Sequence, residues 1–135
     1  MTETSNTPQK RPLSPHLQIY KPQLSSTLSI LHRLTGVALA VGFVVFVAWI
    51  AMLSFGTEDM YDCFLTMAGT IPGKIALCGW AWALSYHLCT GFRHLIWDIG
   101  YGYEICSVTK SSILVLIVST ALALYICLTG FGVIS

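Results

Sequence analysis

The sequence predicts an all-α membrane protein with three transmembrane helices, and three observations support this fold class. Of the 135 residues, 55% are hydrophobic and only 10% are charged, whereas soluble domains average about 25% charged residues. Residues 34–55 and 113–134 are free of charge, and each stretch exceeds the roughly 20 residues that cross a bilayer. A third apolar segment, residues 75–97, is interrupted by ionisable side chains. Because backbone polar groups must be satisfied within lipid, these segments should be helices.

The predicted organisation is an extended segment over residues 1–24 and a three-helix anchor over residues 25–135. We expect helices at about 26–55, 72–98 and 111–132, with Ser25 or Ser26 as the first N-cap and Pro72 in the first turn of the second helix. The segments 57–70 and 101–110 are expected to be loops. The N-terminal segment lacks the apolar core of a signal peptide and the Arg-rich, amphipathic character of a transit peptide.

The distribution of Lys and Arg predicts the orientation in the membrane. Six of the seven basic residues lie on the N-terminal side of the first helix or near the second loop, while Lys74 alone follows the first helix. The positive-inside rule then places the N-terminus in the cytoplasm or matrix and the C-terminus on the opposite side. A net charge of +1 gives no reason to expect a nucleic-acid partner.

One face of the first helix combines polar and small residues. At about 100° per residue, its members fall within an arc of about 100°; they are Ser29, His32, Arg33, Gly36 and Ala40. A fixed cation beside hydrogen-bonding side chains suits a carboxylate or a quinone carbonyl. The alternative is a membrane anchor, in which Arg33 extends to lipid phosphate and the small residues pack against a neighbouring helix.

One face of the second helix carries His87, Gly91, His94 and Asp98. His87 is the candidate ligand for haem iron, because His at membrane depth is costly and is a leading haem ligand. Gly91 would leave room for the ring, and the basic residues would neutralise the propionates. The alternative is a buried, hydrogen-bonded histidine. Arg93 lies about 120° away from His87, so we expect it to pair elsewhere or to extend to the membrane surface.

The histidines limit the chain to one haem at most, with the second axial ligand from another chain. Only four histidines are present, and His16 lies outside any span. We expect His32 at the very start of its helix, two or more turns from the level of His87. The five cysteines form no C-x-x-C pair, so covalent c-type haem is not expected.

These motifs together resemble the cytochrome b membrane-anchor subunit (C subunit) family of succinate dehydrogenase, respiratory complex II. The resemblance covers essentially the whole chain and is carried by three stretches: Arg11-Pro-Leu-Ser-Pro-His16-Leu-Gln-Ile-Tyr20, Ser29-Ile-Leu-His32-Arg33-Leu-Thr-Gly36 and His87-x-x-x-Gly91-x-Arg93-His94-Leu-x-Trp97-Asp98. It implies half of a heterodimeric anchor bundle, with a second membrane-anchor subunit, an iron–sulfur subunit and a flavoprotein subunit as partners. The chain itself would carry no succinate chemistry.

The resemblance also implies site residues and a location. His87 falls on the haem-ligand position, and Ser29 with Arg33 falls on the ubiquinone-site positions. His32, Arg33, His94 and Asp98 would lie near the propionates of one shared haem b, and Gly36 and Gly91 would contact it. The implied location is a bacterial inner membrane, with a mitochondrial inner membrane as the alternative. The motif at residues 11–16 resembles the alphaproteobacterial and mitochondrial branch.

Three other functions remain open from the sequence. The chain could be a structural anchor with quinone but no haem, although the presence of His87 disfavours this. It could serve a fumarate reductase, which runs the same chemistry in reverse. A small transporter is disfavoured, because the spans lack the paired interrupted helices that form midplane substrate sites.

Overall fold

The computed structural model describes residues 21–132, which form four helices: α1 (Leu24–Phe55), α2 (Glu58–Gly69), α3 (Ile71–Asp98) and α4 (Ile105–Gly130). The predicted all-α architecture is confirmed. Helices α1 and α4 are long and apolar enough to cross a membrane. Helix α3 has 28 residues but carries several ionisable side chains. The predicted extended segment lies almost wholly outside the described residues.

The starts of α1 and α3 are fixed in different ways. Helix α1 begins at Leu24 with Gln23 as N-cap and without a side-chain cap, so the prediction of a serine N-cap is wrong. Helix α3 begins beside Thr70, whose hydroxyl accepts a hydrogen bond from the Gly73 amide at 3.2 Å. Pro72 occupies the first turn as predicted, where its missing amide proton costs nothing.

Two segments expected to be loops are helical. Residues 57–70 contain α2, whose first turn holds Glu58 and Asp59 and is capped by the Thr57 hydroxyl. Negative charge is favourable there, because it lies at the positive end of the helix dipole. Helix α4 begins six residues earlier than expected, directly after Glu104. The turn before it uses Gly100 and Gly102, with φ of +94° and +83°, angles that residues with a Cβ rarely adopt.

The three long helices are antiparallel neighbours in chain order, with α3 between α1 and α4. Near one end of the bundle, Arg93 of α3 contacts Ser112 of α4, and towards the other end Trp82 contacts Thr120. Along α1, the residues in contact with α3 run in the opposite direction, from Leu28 opposite Tyr86 to Gly42 opposite Trp80. The end that holds the α1 N-terminus and the α3 C-terminus is called the basic end below.

The bundle is packed with small and polar residues, while large apolar side chains point outward. The fully buried side chains are Ser85, Tyr86, Thr90, Ser112 and Ser119. Leu28, Tyr86 and Val115 form a modest apolar core. Many Val, Leu, Ile and Phe side chains of the three long helices are more than 40% exposed. This distribution is typical of membrane helices, which associate through small residues and present apolar side chains to lipid.

Gly42 is a position of close approach of α1 to α3 away from the basic end. A Cβ added there would overlap the indole ring of Trp80, including its Nε1 and Cδ1 atoms. Since the ring is bulky and lies against α1, an added side chain would have to displace it. Gly79, on α3, has no atom within 4 Å of the equivalent Cβ position.

Gly42→Ala should therefore destabilise the helix bundle, whereas Gly79→Ala should not. Both changes gain helix propensity, so the difference between them isolates the clash. Overpacking of this kind costs about 1–3 kcal/mol. The measurement is the free energy of unfolding of the protein in detergent micelles, titrated with a denaturing detergent. Equal stability of the two variants would show that Trp80 is not fixed against α1.

Candidate functional site

Three histidine rings stack at the basic end of the bundle. The His32 ring of α1 lies between two rings of α3, with its centroid 4.0 Å from that of His87 and 5.1 Å from that of His94. The interplanar angles are 22° and 18°, so the three rings are nearly parallel. The structure thus brings together three of the predicted site residues.

The hydrogen bonds of His87 define its tautomer. Its Nδ1 lies 3.1 Å from the His32 carbonyl oxygen and 3.3 Å from the Thr35 hydroxyl oxygen. The Thr35 hydroxyl already donates its proton to the same carbonyl, at 2.8 Å, so both neighbours of Nδ1 act as acceptors. Nδ1 therefore carries the proton and donates it. His87 Nε2 then keeps its lone pair, which is the form of imidazole that binds metals.

Gly36 lies directly against the His87 ring. A Cβ at Gly36 would come within 3.1 Å of His87 Cε1 and 3.7 Å of Nδ1. A side chain at this position would therefore push the ring away from the α1 backbone that holds it. Gly91, by contrast, has no atom within 4 Å of an added Cβ. Of the two glycines predicted to contact haem, Gly36 contacts the ligand candidate and Gly91 borders open space.

The predicted offset between His32 and His87 is wrong, because the two rings are in direct contact. His32 lies eight residues inside the start of α1, and His87 lies eleven residues before the end of α3. At 1.5 Å per residue these depths are about 12 and 16 Å from the same end of the bundle. His32 is therefore not at the very start of its helix, and its depth nearly matches that of His87.

The stacked geometry still argues against both rings binding one iron. Each axial nitrogen would lie about 2 Å from the metal, by analogy with zinc–histidine bonds. Rings in face-to-face contact at 4.0 Å leave no room for an iron between them. His32 therefore supports the His87 ring by contact, and its carbonyl orients that ring.

The other two predicted site residues of α3 have different surroundings. His94 Nδ1 donates to the Thr90 carbonyl at 2.8 Å, and its ring meets Trp97 edge-on at 5.3 Å. Asp98 is exposed at the end of α3. Among the hydrogen bonds of residues 21–132, neither His94 nor Arg93 bonds to Asp98.

A cavity of about 460 Å³ opens beside the histidine stack, between α1 and α3. Ser29 and Arg33, the predicted quinone residues, both line it. His94 lines the cavity too, so this ring belongs to the stack and also borders the cavity. The predicted α1 face is thus divided. Ser29 and Arg33 border the cavity, Gly36 contacts His87, and Ala40 borders a separate apolar cavity nearer the other end.

Arg93 lines the same cavity from α3 and is only 6% exposed. Its Nη1 donates to the Ser112 hydroxyl at 2.9 Å, and its guanidinium carbon lies 4.2 Å from the centre of the Trp97 ring. It therefore pairs within the bundle and does not extend to the surface. The spacing on α3 correctly separated Arg93 from His87, but it did not reveal that Arg93 and Arg33 share a cavity.

The donor groups at the basic end suit a haem better than a chelated ion. Within residues 21–132, no group of three or more His, Cys, Asp or Glu side chains is arranged to hold a metal ion, whereas haem iron requires only one or two axial ligands from protein. His87 offers Nε2, and His32 Nε2 is buried without a hydrogen-bond partner among the described residues. An unpartnered buried nitrogen of this kind fits a site that a bound group completes.

Several cavity residues were missed by the sequence analysis. Thr90, Arg93 and Trp97 recur at i, i+3 and i+7 on α3, a spacing that identifies one helix face. Ser25 and Ser26 line the cavity from α1, although they were considered only as helix caps. The i, i+3, i+7 pattern could have identified the α3 wall, but not the partner helix that it faces.

Comparison with known proteins identifies the family. Residues 7–126 match the family described as Succinate dehydrogenase/Fumarate reductase transmembrane subunit. The succinate dehydrogenase cytochrome b556 subunit of Rickettsia typhi is 46% identical over 115 residues, covering 85% of this chain and 89% of that protein. The b556 subunit of Paracoccus denitrificans is 40% identical over 121 residues, covering 90% and 92%.

The likeness extends to a plant. The succinate dehydrogenase cytochrome b560 subunit of Marchantia polymorpha is 42% identical over 118 residues, covering 84% of this chain and 86% of that protein. The matched range includes the histidine stack and the cavity. The resemblance predicted from the three sequence motifs is therefore confirmed: this chain belongs to the family of succinate dehydrogenase and fumarate reductase transmembrane subunits and is a membrane subunit of complex II.

Proposed function

We propose that this chain anchors a succinate:ubiquinone oxidoreductase in the membrane, binds one haem b through His87, and forms part of the ubiquinone-reduction site with Ser29 and Arg33. The observation that carries the proposal is the fixed Nδ1–H tautomer of His87, which leaves Nε2 available to iron. The relatives are named cytochrome b subunits, which agrees with a b-type haem.

The proposed topology has three transmembrane helices, α1, α3 and α4. Helix α3 has 28 residues, or about 42 Å of helix, which is long enough to span the bilayer. Its ionisable side chains away from the two helix ends, His87, Arg93 and His94, are buried or half-buried among the other helices, where such groups are tolerated, while Lys74 and Asp98 are exposed at the ends. Helix α2 would lie at the outer surface. The basic end would face the cytoplasm or matrix, where the iron–sulfur and flavoprotein subunits bind.

The chain's own residues would hold and orient the haem. A bound haem b would supply one-electron transfer within the membrane. His87 would ligate the iron, its ring fixed by the His32 carbonyl and the Thr35 hydroxyl. His94 and Arg33, at the basic end, would lie near the propionate carboxylates of the haem. Because His32 stacks on His87, the second axial ligand would come from the partner anchor subunit.

The cavity beside the stack would bind the quinone headgroup. The iron–sulfur subunit would deliver electrons that originate from succinate. Arg33 would donate hydrogen bonds to a quinone oxygen as negative charge develops on it, which lowers the barrier to reduction. Ser29 would hold the same headgroup through its hydroxyl. Protons would come from water or a partner residue, since no carboxylate is among the residues that line the cavity.

His87→Ala should abolish or alter the low-spin b-type spectrum of the purified complex, because the iron loses an axial ligand. Leu88→Ala is the matched control, since Leu88 is an exposed neighbour on α3, and it should leave the spectrum unchanged. The measurement is the reduced-minus-oxidised visible spectrum. An unchanged spectrum in His87→Ala, with loss in His94→Ala, would transfer the ligand role to His94.

Arg33→Leu should reduce quinone reductase activity by about 10–100-fold, the loss expected from one charge-assisted hydrogen bond of about 1.5–3 kcal/mol. Succinate oxidation with an artificial dye acceptor should remain nearly intact, since that activity does not require quinone. Lys74→Leu removes a cation from the other end of α3 and should leave both activities unchanged. A proportional loss of both activities in Arg33→Leu would make Arg33 an assembly residue.

The chain expressed alone should bind haem weakly or not at all, because the stacked His32 and His87 rings cannot both ligate one iron. Coexpression with its partner anchor subunit should restore a six-coordinate spectrum. The measurement is the haem content and spin state of the purified chain in each preparation. A stoichiometric, low-spin, bis-histidine haem in the isolated chain would contradict the partner-ligand proposal.

A further inference from the structure

We propose that Arg93 is a second cationic residue of the quinone cavity, which binds and positions a quinone oxygen from α3 while Arg33 acts from α1. Thr90 would supply a hydroxyl to the same headgroup. This inference rests on the proposed quinone function of the cavity. It adds residues from a second helix to the site that the α1 motif predicts.

The burial of Arg93 is the first observation. Its side chain is 6% exposed, donates to the Ser112 hydroxyl, packs on the Trp97 ring and lies near the Tyr86 phenol. None of these groups is a carboxylate. Arg remains protonated in proteins, and burial of a cation without a counter-charge is unfavourable. A ligand with acceptor oxygens would compensate for that cost.

The unpartnered nitrogen of Arg93 is the second observation. Arg93 Nε is buried without a hydrogen-bond partner among the described residues. Thr90 lies three positions before Arg93 on one face of α3, its hydroxyl is near the Tyr86 phenol, and both residues line the cavity of about 460 Å³. Native proteins leave few buried polar atoms unsatisfied, so a guanidinium with a free N–H in the cavity wall indicates a ligand position.

The chemistry of the cavity selects the ligand class. Its polar lining consists of hydroxyls, guanidiniums and an imidazole, without a carboxylate; these residues are Ser25, Ser26, Ser29, Arg33, Thr90, Arg93 and His94. Leu28, Ile30 and Val108 supply apolar walls. Such a cavity suits a molecule with acceptor oxygens on an apolar ring. A quinone has this chemistry, with two carbonyl oxygens and no donor of its own.

The role of Arg93 follows from the electrons and protons that quinone reduction consumes. Quinone takes up two electrons, delivered through the iron–sulfur subunit, and two protons, and both carbonyls become hydroxyls. Arg93 gives up no proton. It donates hydrogen bonds to an oxygen that becomes more negative when the first electron arrives, and Ser112 and Trp97 hold its guanidinium in place. Both the binding of oxidised quinone and its reduction should therefore depend on Arg93.

The test measures quinone kinetics of the assembled complex with Arg93→Met and Arg93→Lys. Arg93→Met should lower kcat/KM for a short-chain ubiquinone by about 10–100-fold, as expected for loss of a charge-assisted hydrogen bond. Arg93→Lys keeps the charge and should recover much of that loss. Dye-linked succinate oxidation and the haem spectrum should be unchanged in both. The radical signal of the one-electron-reduced quinone should weaken in Arg93→Met.

Thr90→Val keeps the experiment informative if Arg93 variants assemble poorly. It preserves side-chain shape, removes the hydroxyl, and should raise the KM for quinone by a few-fold. Ser119→Ala is the matched control, because Ser119 is a buried hydroxyl of α4 that bonds within its own helix and is not among the cavity residues. It should leave the KM unchanged.

Four outcomes would overturn the inference. The first two are unchanged quinone kinetics in both Arg93→Met and Thr90→Val, and equal losses of quinone activity in Arg93→Lys and Arg93→Met. The other two are a parallel fall of dye-linked succinate oxidation in Arg93→Met, and a shifted haem potential in Arg93→Met with an unchanged KM for quinone. The last would assign Arg93 to a haem carboxylate. Arg33→Leu separates the two proposals. Quinone kinetics that survive Arg33→Leu contradict the quinone site itself, whereas loss in Arg33→Leu with full activity in Arg93→Met contradicts only the role of Arg93.

Discussion

The contact between the His87 ring and the α1 backbone is the interaction on which the basic end of the bundle depends. In lipid, a polar ring finds no water to bond, so its N–H must be satisfied by protein. The His32 carbonyl and the Thr35 hydroxyl accept from His87 Nδ1, and Gly36 allows the ring to approach because it has no side chain. One helix therefore orients the imidazole of another, and the same contact sets the tautomer that leaves the Nε2 lone pair free.

The fold was largely predictable because a hydrocarbon environment imposes strong constraints on sequence. The three apolar segments and the Pro72 start of α3 correspond to helices in the structure. Helix α2 was missed because it is short and rich in acidic residues, so neither its length nor its hydrophobicity distinguishes it from a loop. The early start of α4 was missed because residues 105–110 lie outside the uninterrupted apolar stretch, while local hydrogen bonds extend the helix to them.

The site was predictable along each helix but not between helices. Helical spacing placed His87 and His94 on one face, and the structure stacks both rings on His32. The depth of His32 was misjudged because it depends on how far α1 extends beyond its apolar stretch and on how it meets α3. Arg93 is the clearest case. Spacing predicted that it leaves the face of His87, and it bonds to α4 while His87 bonds to α1. The cavity that it shares with Arg33 exists only when helices pack, and spacing within one helix contains no such information.

The division of the basic end has a consequence for the proposed chemistry. The His87–His32 contact lies on one side of His94, and the cavity with the two arginines lies on the other. His94 is held by the Thr90 carbonyl, so a residue that lines the cavity also fixes one ring of the stack. A charge that develops in the cavity would act on the haem side through this imidazole ring. The protein needs no long pathway for such coupling, because the two proposed sites have the His94 side chain in common.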